Sequence, residues 1–134
     1  MFVNLPLFVN MRNPQNEFLI IFNSHASARL HKGGVMVYFI ATIYTEKSKD
    51  KTDYATYIEE VKPIVERYGG RYLVRTNRII SLSAKWNPER IIIIQWESRE
   101  QLEACFESQE YRKIAAKREN SVDSRAIIVE EDEG

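Results

Sequence analysis

The stretch that decides the fold of this 134-residue chain is Arg90-Ile91-Ile92-Ile93-Ile94-Gln95-Trp96. A strand with one solvent-exposed face alternates apolar and polar residues, and four consecutive isoleucines lack this alternation. The run therefore predicts a strand that is buried on both faces. Residues 37–44 have the same character, because aromatic and β-branched side chains fall on both alternating faces. Two such strands predict a sheet whose two faces both need a cover.

Helical periodicity appears on either side of the isoleucine run. Apolar residues recur every three to four positions over residues 54–68, and the stripe ends at Gly69-Gly70, which predicts an amphipathic helix with a glycine cap. Ser98, with a glutamine three positions later, is a capping-box sequence that predicts a second helix start. A short third helix is expected from residue 109 onward.

The remaining strand signals complete an α+β order. Residues 71–75 and 79–82 flank a short polar turn and predict a hairpin, and residues 125–129 predict a last strand. The order is that of a ferredoxin-like βαββαβ sandwich with one extra hairpin strand. Because the helices of this plan cover one sheet face, we expect a second copy to cover the other in a two-fold dimer, forming a dimeric α+β barrel.

The composition changes near Met36. The first 35 residues hold short apolar pieces, an Asn-rich turn and a segment without periodicity, so we expect a leader or arm (1–35), a barrel domain (36–130) and an acidic tail (131–134). The codons for the four residues before Met36 can resemble a bacterial ribosome-binding site, which makes Met36 a candidate natural start. The alternative is an arm that pairs with the sheet.

Removal of residues 1–35 is expected to leave a folded protein, because the regular pattern begins only at Met36. A chain that starts at Met36 should stay soluble and unfold cooperatively in a thermal melt followed by circular dichroism. Aggregation of this shorter chain would show that the arm is part of the sheet.

Composition and charge exclude several classes of partner. Nineteen basic and nineteen acidic side chains give a net charge of zero, which removes the global attraction toward nucleic acid or an anionic membrane. No apolar run approaches the ~18 residues of a membrane span or the core of a signal peptide. The single cysteine, Cys105, lies among helical apolar residues and suits a reducing compartment. We therefore expect a cytoplasmic protein without nucleic-acid or membrane partners.

Both histidines, His25 and His31, lie in the arm, so residues 36–134 contain none. A histidine-based nucleophile, zinc site, iron site or haem site in the main domain is therefore unsupported. Two exposed loop histidines are favoured over a pair of metal ligands. The sequence predicts no metal and no cofactor.

Six segments follow one another in a recognisable order and spacing, namely Tyr38–Ala41, Tyr68–Arg75, Trp86–Arg90, Ser98, Ser108–Tyr111 and Ile127–Glu130. With these segments, residues 36–130 resemble one family, the dimeric α+β barrel proteins of domain-of-unknown-function family 1330. The resemblance implies the ferredoxin-like fold and a homodimer, and it implies no particular reaction. Gln95 departs from the family, which often has glutamate there, so a carboxylate sometimes offered as an acid or base is absent.

Arginines and aromatic residues near strand ends are the remaining candidates for a site. The planar arginine fork suits a carboxylate or enolate oxygen, and aromatic walls suit a planar ligand. We predict a pocket between sheet and helices for a small organic acid, with Tyr111 as the candidate catalytic residue. The ligand-binding candidates are Tyr38, Arg71, Arg75, Trp86 and Arg90.

Two classes of function stay open. The first is a small-molecule site, either a binding module or a cofactor-free enzyme of proton-transfer or oxygenation type. The second is a non-catalytic structural or protein-interaction dimer, in which the arginines pair with surface glutamates and the aromatic residues fill the barrel. A wet cavity lined by arginine favours the first class, and a solidly packed interior favours the second.

Overall fold

A computed structural model of the protein describes residues 35–45 and 52–132, so the predicted arm lies outside the described residues except for its last position. The strands form one antiparallel sheet in the order β2-β3-β1-β4. This arrangement confirms the predicted α+β, ferredoxin-like βαββαβ plan. The elements are β1 (Val37–Thr45), α1 (Thr52–Arg67), β2 (Arg71–Thr76), β3 (Arg90–Trp96), α2 (Arg99–Glu107), α3 (Gln109–Glu119) and β4 (Val122–Glu130).

The two strongly apolar strands, β1 and β3, lie side by side at the centre of the sheet. Phe39 pairs with Ile94 and Ala41 with Ile92, and these side chains face the helices. Cys105 of α2 joins the same core, where burial raises the pKa of its thiol to about 12. The rest of the core includes Val37, Tyr57, Val61, Val65, Trp96, Leu102, Phe106, Tyr111 and Val122.

Serine side chains set the boundaries of the two C-terminal helices. The Ser98 hydroxyl accepts the backbone N–H of Gln101 at 3.2 Å, which confirms the predicted helix start. The Ser108 hydroxyl accepts the N–H of Tyr111 at 3.1 Å and donates to the carbonyl of Cys105 at 2.7 Å. Ser108 therefore ends α2 and begins α3.

The turn after α1 needs both of its glycines. Gly69 has φ +95°, a conformation that strains other residues. At Gly70 an added Cβ would lie 2.6 Å from Val65 Cγ1 and 2.9 Å from the Trp96 ring.

We expect Gly70→Ala to lower the free energy of unfolding by about 1 to 3 kcal/mol through overpacking, as measured by urea denaturation. An unchanged unfolding midpoint would show that the turn can move away from Trp96.

The predicted strand over residues 79–82 is wrong. β2 pairs directly with β3, and residues 77–89 form a loop in which Ile80 is 89% and Leu82 96% exposed. The Ser81 hydroxyl donates to the carbonyls of Ser83 and Trp86, which folds the segment locally. A β-branched run is therefore not enough for a strand here, because the segment makes local hydrogen bonds and forms no ladder along the outer edge of β2.

The sheet face turned away from the helices carries an apolar row. Ile93, Ile40 and Ile127 pair in sequence across β3, β1 and β4, and Tyr38 pairs with Val129 beside them. Ile127 is 59% exposed and Val129 38% in the single protomer. We call this surface the open face, and the predicted dimeric barrel that would cover it stays a prediction. None of the described helices is long and apolar enough to cross a membrane.

Candidate functional site

An apolar cavity lies between the sheet and the helices. Its empty volume is about 390 Å³, including solvent at its mouth. Among the described residues that line it there is no carboxylate and no histidine, so its polar groups are hydroxyls and one guanidinium. The apolar walls include Phe39, Ile43, Val61, Ile92 and Phe106, and the polar groups belong to Tyr54, Tyr57, Tyr72, Arg118 and Ser124.

A buried arginine at the end of α3 holds the polar side of the cavity together. Arg118 is 2% exposed; its Nε lies 3.4 Å from the Tyr111 hydroxyl and its Nη1 3.1 Å from Ser124 Oγ. The Tyr111 hydroxyl lies 3.0 Å from that of Tyr57, and Arg118 Nη2 lies 3.4 Å from a Glu119 oxygen. We call Tyr57, Tyr111, Arg118 and Ser124 the tyrosine–arginine cluster.

The charges of this cluster are fixed by its surroundings. Burial alone lowers the pKa of Arg118, but interactions with Tyr111 and Tyr57 more than offset this, so its pKa lies above the ordinary value. Burial raises the pKa of Tyr57 well above its ordinary value, and the neighbouring Tyr111 adds to the rise. The cluster therefore presents a buried positive charge and a protonated hydroxyl donor.

Tyr54 brings a second hydroxyl into the cavity. This hydroxyl is buried and makes no hydrogen bond in the part of the chain that the structure describes, and the same holds for Nε of Arg90. Burial raises the pKa of Tyr54, while the positive charges of Arg90, Arg118 and Arg75 partly offset the rise. A buried unpaired polar atom costs about 1 to 3 kcal/mol, so these atoms mark a place where a polar partner would bind. The Tyr54 ring packs on Tyr57 with centroids 5.8 Å apart.

A β-bulge decides which arginine of β2 lies on the helix side of the sheet. Tyr72 pairs with Ile94 and Arg75 with Ile92, and the register shifts between Tyr72 and Val74. Strict alternation predicts Tyr72 and Val74 on one face, and this prediction is wrong. The bulge instead places Arg75 on the same face as Tyr72.

The Arg75 side chain also makes structural contacts. Its guanidinium lies 5.2 Å from the centroid of the Tyr72 ring and donates a hydrogen bond to the Ile58 carbonyl in α1. Arg75 therefore connects β2 to α1 beside the cavity, and its removal would affect stability as well as any ligand.

The predicted site residues divide into two groups. Tyr38 and Arg71 both pair with Gln95, so they lie on the open face, and Trp86 is 56% exposed in the 77–89 loop. None of these three lines the cavity. The structure does bring the other three predicted residues toward it, namely Tyr111, Arg75 and Arg90, and the ligand roles of all six stay predictions.

Arg118, Tyr54 and Tyr57 are not among the site residues predicted from the sequence. One pattern could have indicated Arg118, because it follows Ile114 by four positions and Tyr111 by seven and so falls on the buried face of α3. The hydroxyl partners could not be read in this way, since Tyr57 and Ser124 belong to other elements. No group of three metal-ligating side chains occurs within residues 35–45 and 52–132.

Two solved structures resemble the fold of this chain. A protein of unknown function from Rhodopseudomonas palustris is 18% identical with a TM-score of 0.65, and the match covers 79% of this chain and 88% of that one. A putative antibiotic biosynthesis monooxygenase from Caulobacter crescentus CB15 is 13% identical with a TM-score of 0.52, covering 82% of this chain and 98% of that one. At these identities the likeness concerns the fold alone. No curated protein matches the sequence.

The family model described as "Domain of unknown function (DUF1330)" matches residues 36–132, which include every described helix and strand. The match begins at Met36, where the regular pattern of the sequence also begins. The chain belongs to the DUF1330 family of domains of unknown function.

Proposed function

We propose that the chain binds a small organic acid with a planar, apolar body in the cavity between sheet and helices. One observation carries the proposal: the buried Tyr54 hydroxyl has no partner among the described residues, and the positive charges of Arg75, Arg90 and Arg118 act on it. Apolar walls accommodate the body of such a ligand, and the hydroxyl and the positive charges favour an anionic oxygen.

The chemistry that this site supports is stabilisation of negative charge. Hydroxyls and guanidiniums donate hydrogen bonds, and no described lining residue offers a carboxylate or imidazole base. Cofactor-free proton transfer or oxygenation would therefore depend on a ligand that is already acidic. Tyr111 does not line the cavity, and we propose it as a positioning residue that orients Tyr57 and Arg118.

A second candidate function is that of a structural homodimer. The observation that favours it is the open face, where an apolar row crosses three strands and remains partly exposed in the protomer. Homodimerisation is compatible with a ligand site on the other side of the sheet. The two candidates are separated by whether the cavity binds a small molecule.

A thermal-shift screen against aromatic and keto acids tests the proposed ligand class. We expect at least one acid to raise the melting temperature, and Tyr54→Phe to weaken its binding about ten- to hundredfold, because a hydrogen bond to a charged group is worth about 1.5 to 3 kcal/mol. Tyr44→Phe is the matched control, since Tyr44 lies on the open face with Arg125 over its ring. Equal losses in both variants would refute the proposed site.

A further inference from the structure

We propose that the cavity holds its ligand as a single-oxygen anion, so that a planar phenol or enol binds in its ionised form. This inference rests on the proposed function and adds the chemical class of the ligand. The ionised oxygen would face the Tyr54 hydroxyl and the tyrosine–arginine cluster, with the ring against the apolar walls.

The charges that face this end of the cavity are mostly positive. The carboxylate of Glu119 lies 3.4 Å from Arg118 and is 26% exposed at the protein surface. Asp123 pairs with Tyr44 on the open face and contacts Arg125, so it does not face the cavity. The groups on the cavity side are Tyr54 and Tyr57 from α1, Tyr72 and Arg75 from β2, Arg90 from β3, Tyr111 and Arg118 from α3, and Ser124 from β4.

The geometry of Arg118 favours one oxygen over a carboxylate. Its Nε, Nη1 and Nη2 already contact Tyr111, Ser124 and Glu119, respectively, so the two-pronged arrangement that grips a carboxylate is engaged within the protein. Arg118 can still act through its charge, which a low-dielectric surrounding screens poorly. The buried Tyr54 hydroxyl supplies one direct donor, which matches one acceptor oxygen.

Ionisation in this site needs no base from the protein. The O–H bond of the ligand breaks, its electron pair stays on the oxygen, and the proton passes to solvent at the open mouth of the cavity. Nearby positive charge favours the ionised form of an acid, whereas desolvation opposes it. Here the protonated Tyr54 hydroxyl replaces a water molecule as the donor to the oxygen, and the nearby positive charges favour the ionised form.

Para-nitrophenol is a direct probe, because its hydroxyl titrates near neutral pH and its phenolate is yellow. We expect a pH titration of its absorbance with saturating protein to give a pKa about 1 to 3 units below that of the free compound. Tyr54→Phe should bind the probe and reduce this shift, whereas Tyr44→Phe should retain it. Neither measurement requires a variant of the buried Arg118.

The outcomes separate this inference from the proposed function. Nitrophenol that raises the melting temperature but titrates at or above its free value overturns the oxyanion proposal and leaves ligand binding intact. Stabilisation by carboxylic acids without any binding of nitrophenol also overturns the oxyanion proposal and leaves ligand binding intact. If neither the acids nor nitrophenol at millimolar concentration changes absorbance or melting temperature, both proposals fail.

Discussion

Replacement of Leu102 by alanine is expected to lower the free energy of unfolding by about 2 to 5 kcal/mol, because it leaves a cavity in a closely packed core. Leu102 is fully buried in α2, on the helix layer that covers the sheet. The same replacement at Leu82, which is 96% exposed in the 77–89 loop, should change this free energy by less than about 0.5 kcal/mol. Urea denaturation of both variants at one protein concentration measures the difference.

The Leu82 variant also tests the correction made to the predicted hairpin. A loss near that of Leu102 would contradict the exposed loop and would mean that the 77–89 segment is covered in the assembled protein. If the loss of unfolding free energy in the Leu82 variant also depended on protein concentration, a second copy of the chain would be what covers the loop.

The order of helices and strands followed from the sequence because local signals agree with the final packing. The isoleucine run in β3, the apolar stripe of α1 and the Ser98 cap each indicate the same element that tertiary contacts stabilise. Residues 79–82 show the limit of such signals. Their β-branched side chains favour a strand, but the segment bonds locally through Ser81, although the outer edge of β2 is unpaired among the described strands.

The candidate site was harder to predict from the sequence than the fold. It depends on the β-bulge in β2 and on the burial of an arginine side chain. The bulge between Tyr72 and Val74 brings Arg75 to the face of Tyr72, whereas strict alternation would place Arg75 on the other face. Arg118 would ordinarily be assigned to the helix surface, because burial of an arginine is unfavourable without partners. Tyr111 lies two turns earlier on the same helix, whereas Ser124 becomes a neighbour of Arg118 only when α3 packs onto the sheet.

The predictions for Arg75 and Arg90 show what residue types alone can indicate about a binding site. Arginines at strand ends beside aromatic residues predict anion binding, and the register places Arg90 and Arg75 opposite Ile43 and Ile92, respectively, which line the cavity. Tyr38 and Arg71 satisfied the same description but lie on the opposite sheet face. Residue type does not distinguish these two pairs of residues, because the choice of face required the register of the sheet.

Ile127→Asp is expected to convert a homodimer into a monomer. The protein should sediment at twice the 15.7 kDa mass of its chain, because the open face carries an apolar row that a second copy can cover. Ile127 is 59% exposed in the protomer, so aspartate there is compatible with a folded single chain. In the dimer it would instead bury a carboxylate without a partner.

The expected effect on dimerisation is large because two-fold symmetry applies the substitution twice. Each site loses the burial of an isoleucine, worth about 1.5 to 3 kcal/mol, and adds the cost of desolvating a charge, so the dissociation constant should rise at least about a hundredfold. Sedimentation velocity at micromolar concentration measures this change, and circular dichroism confirms that the fold is retained. Ala55→Asp, on the exposed side of α1, should remain dimeric. A wild-type chain that sediments as a monomer would contradict the predicted dimeric barrel. An Ile127→Asp variant that remains dimeric would place the dimer interface on another surface.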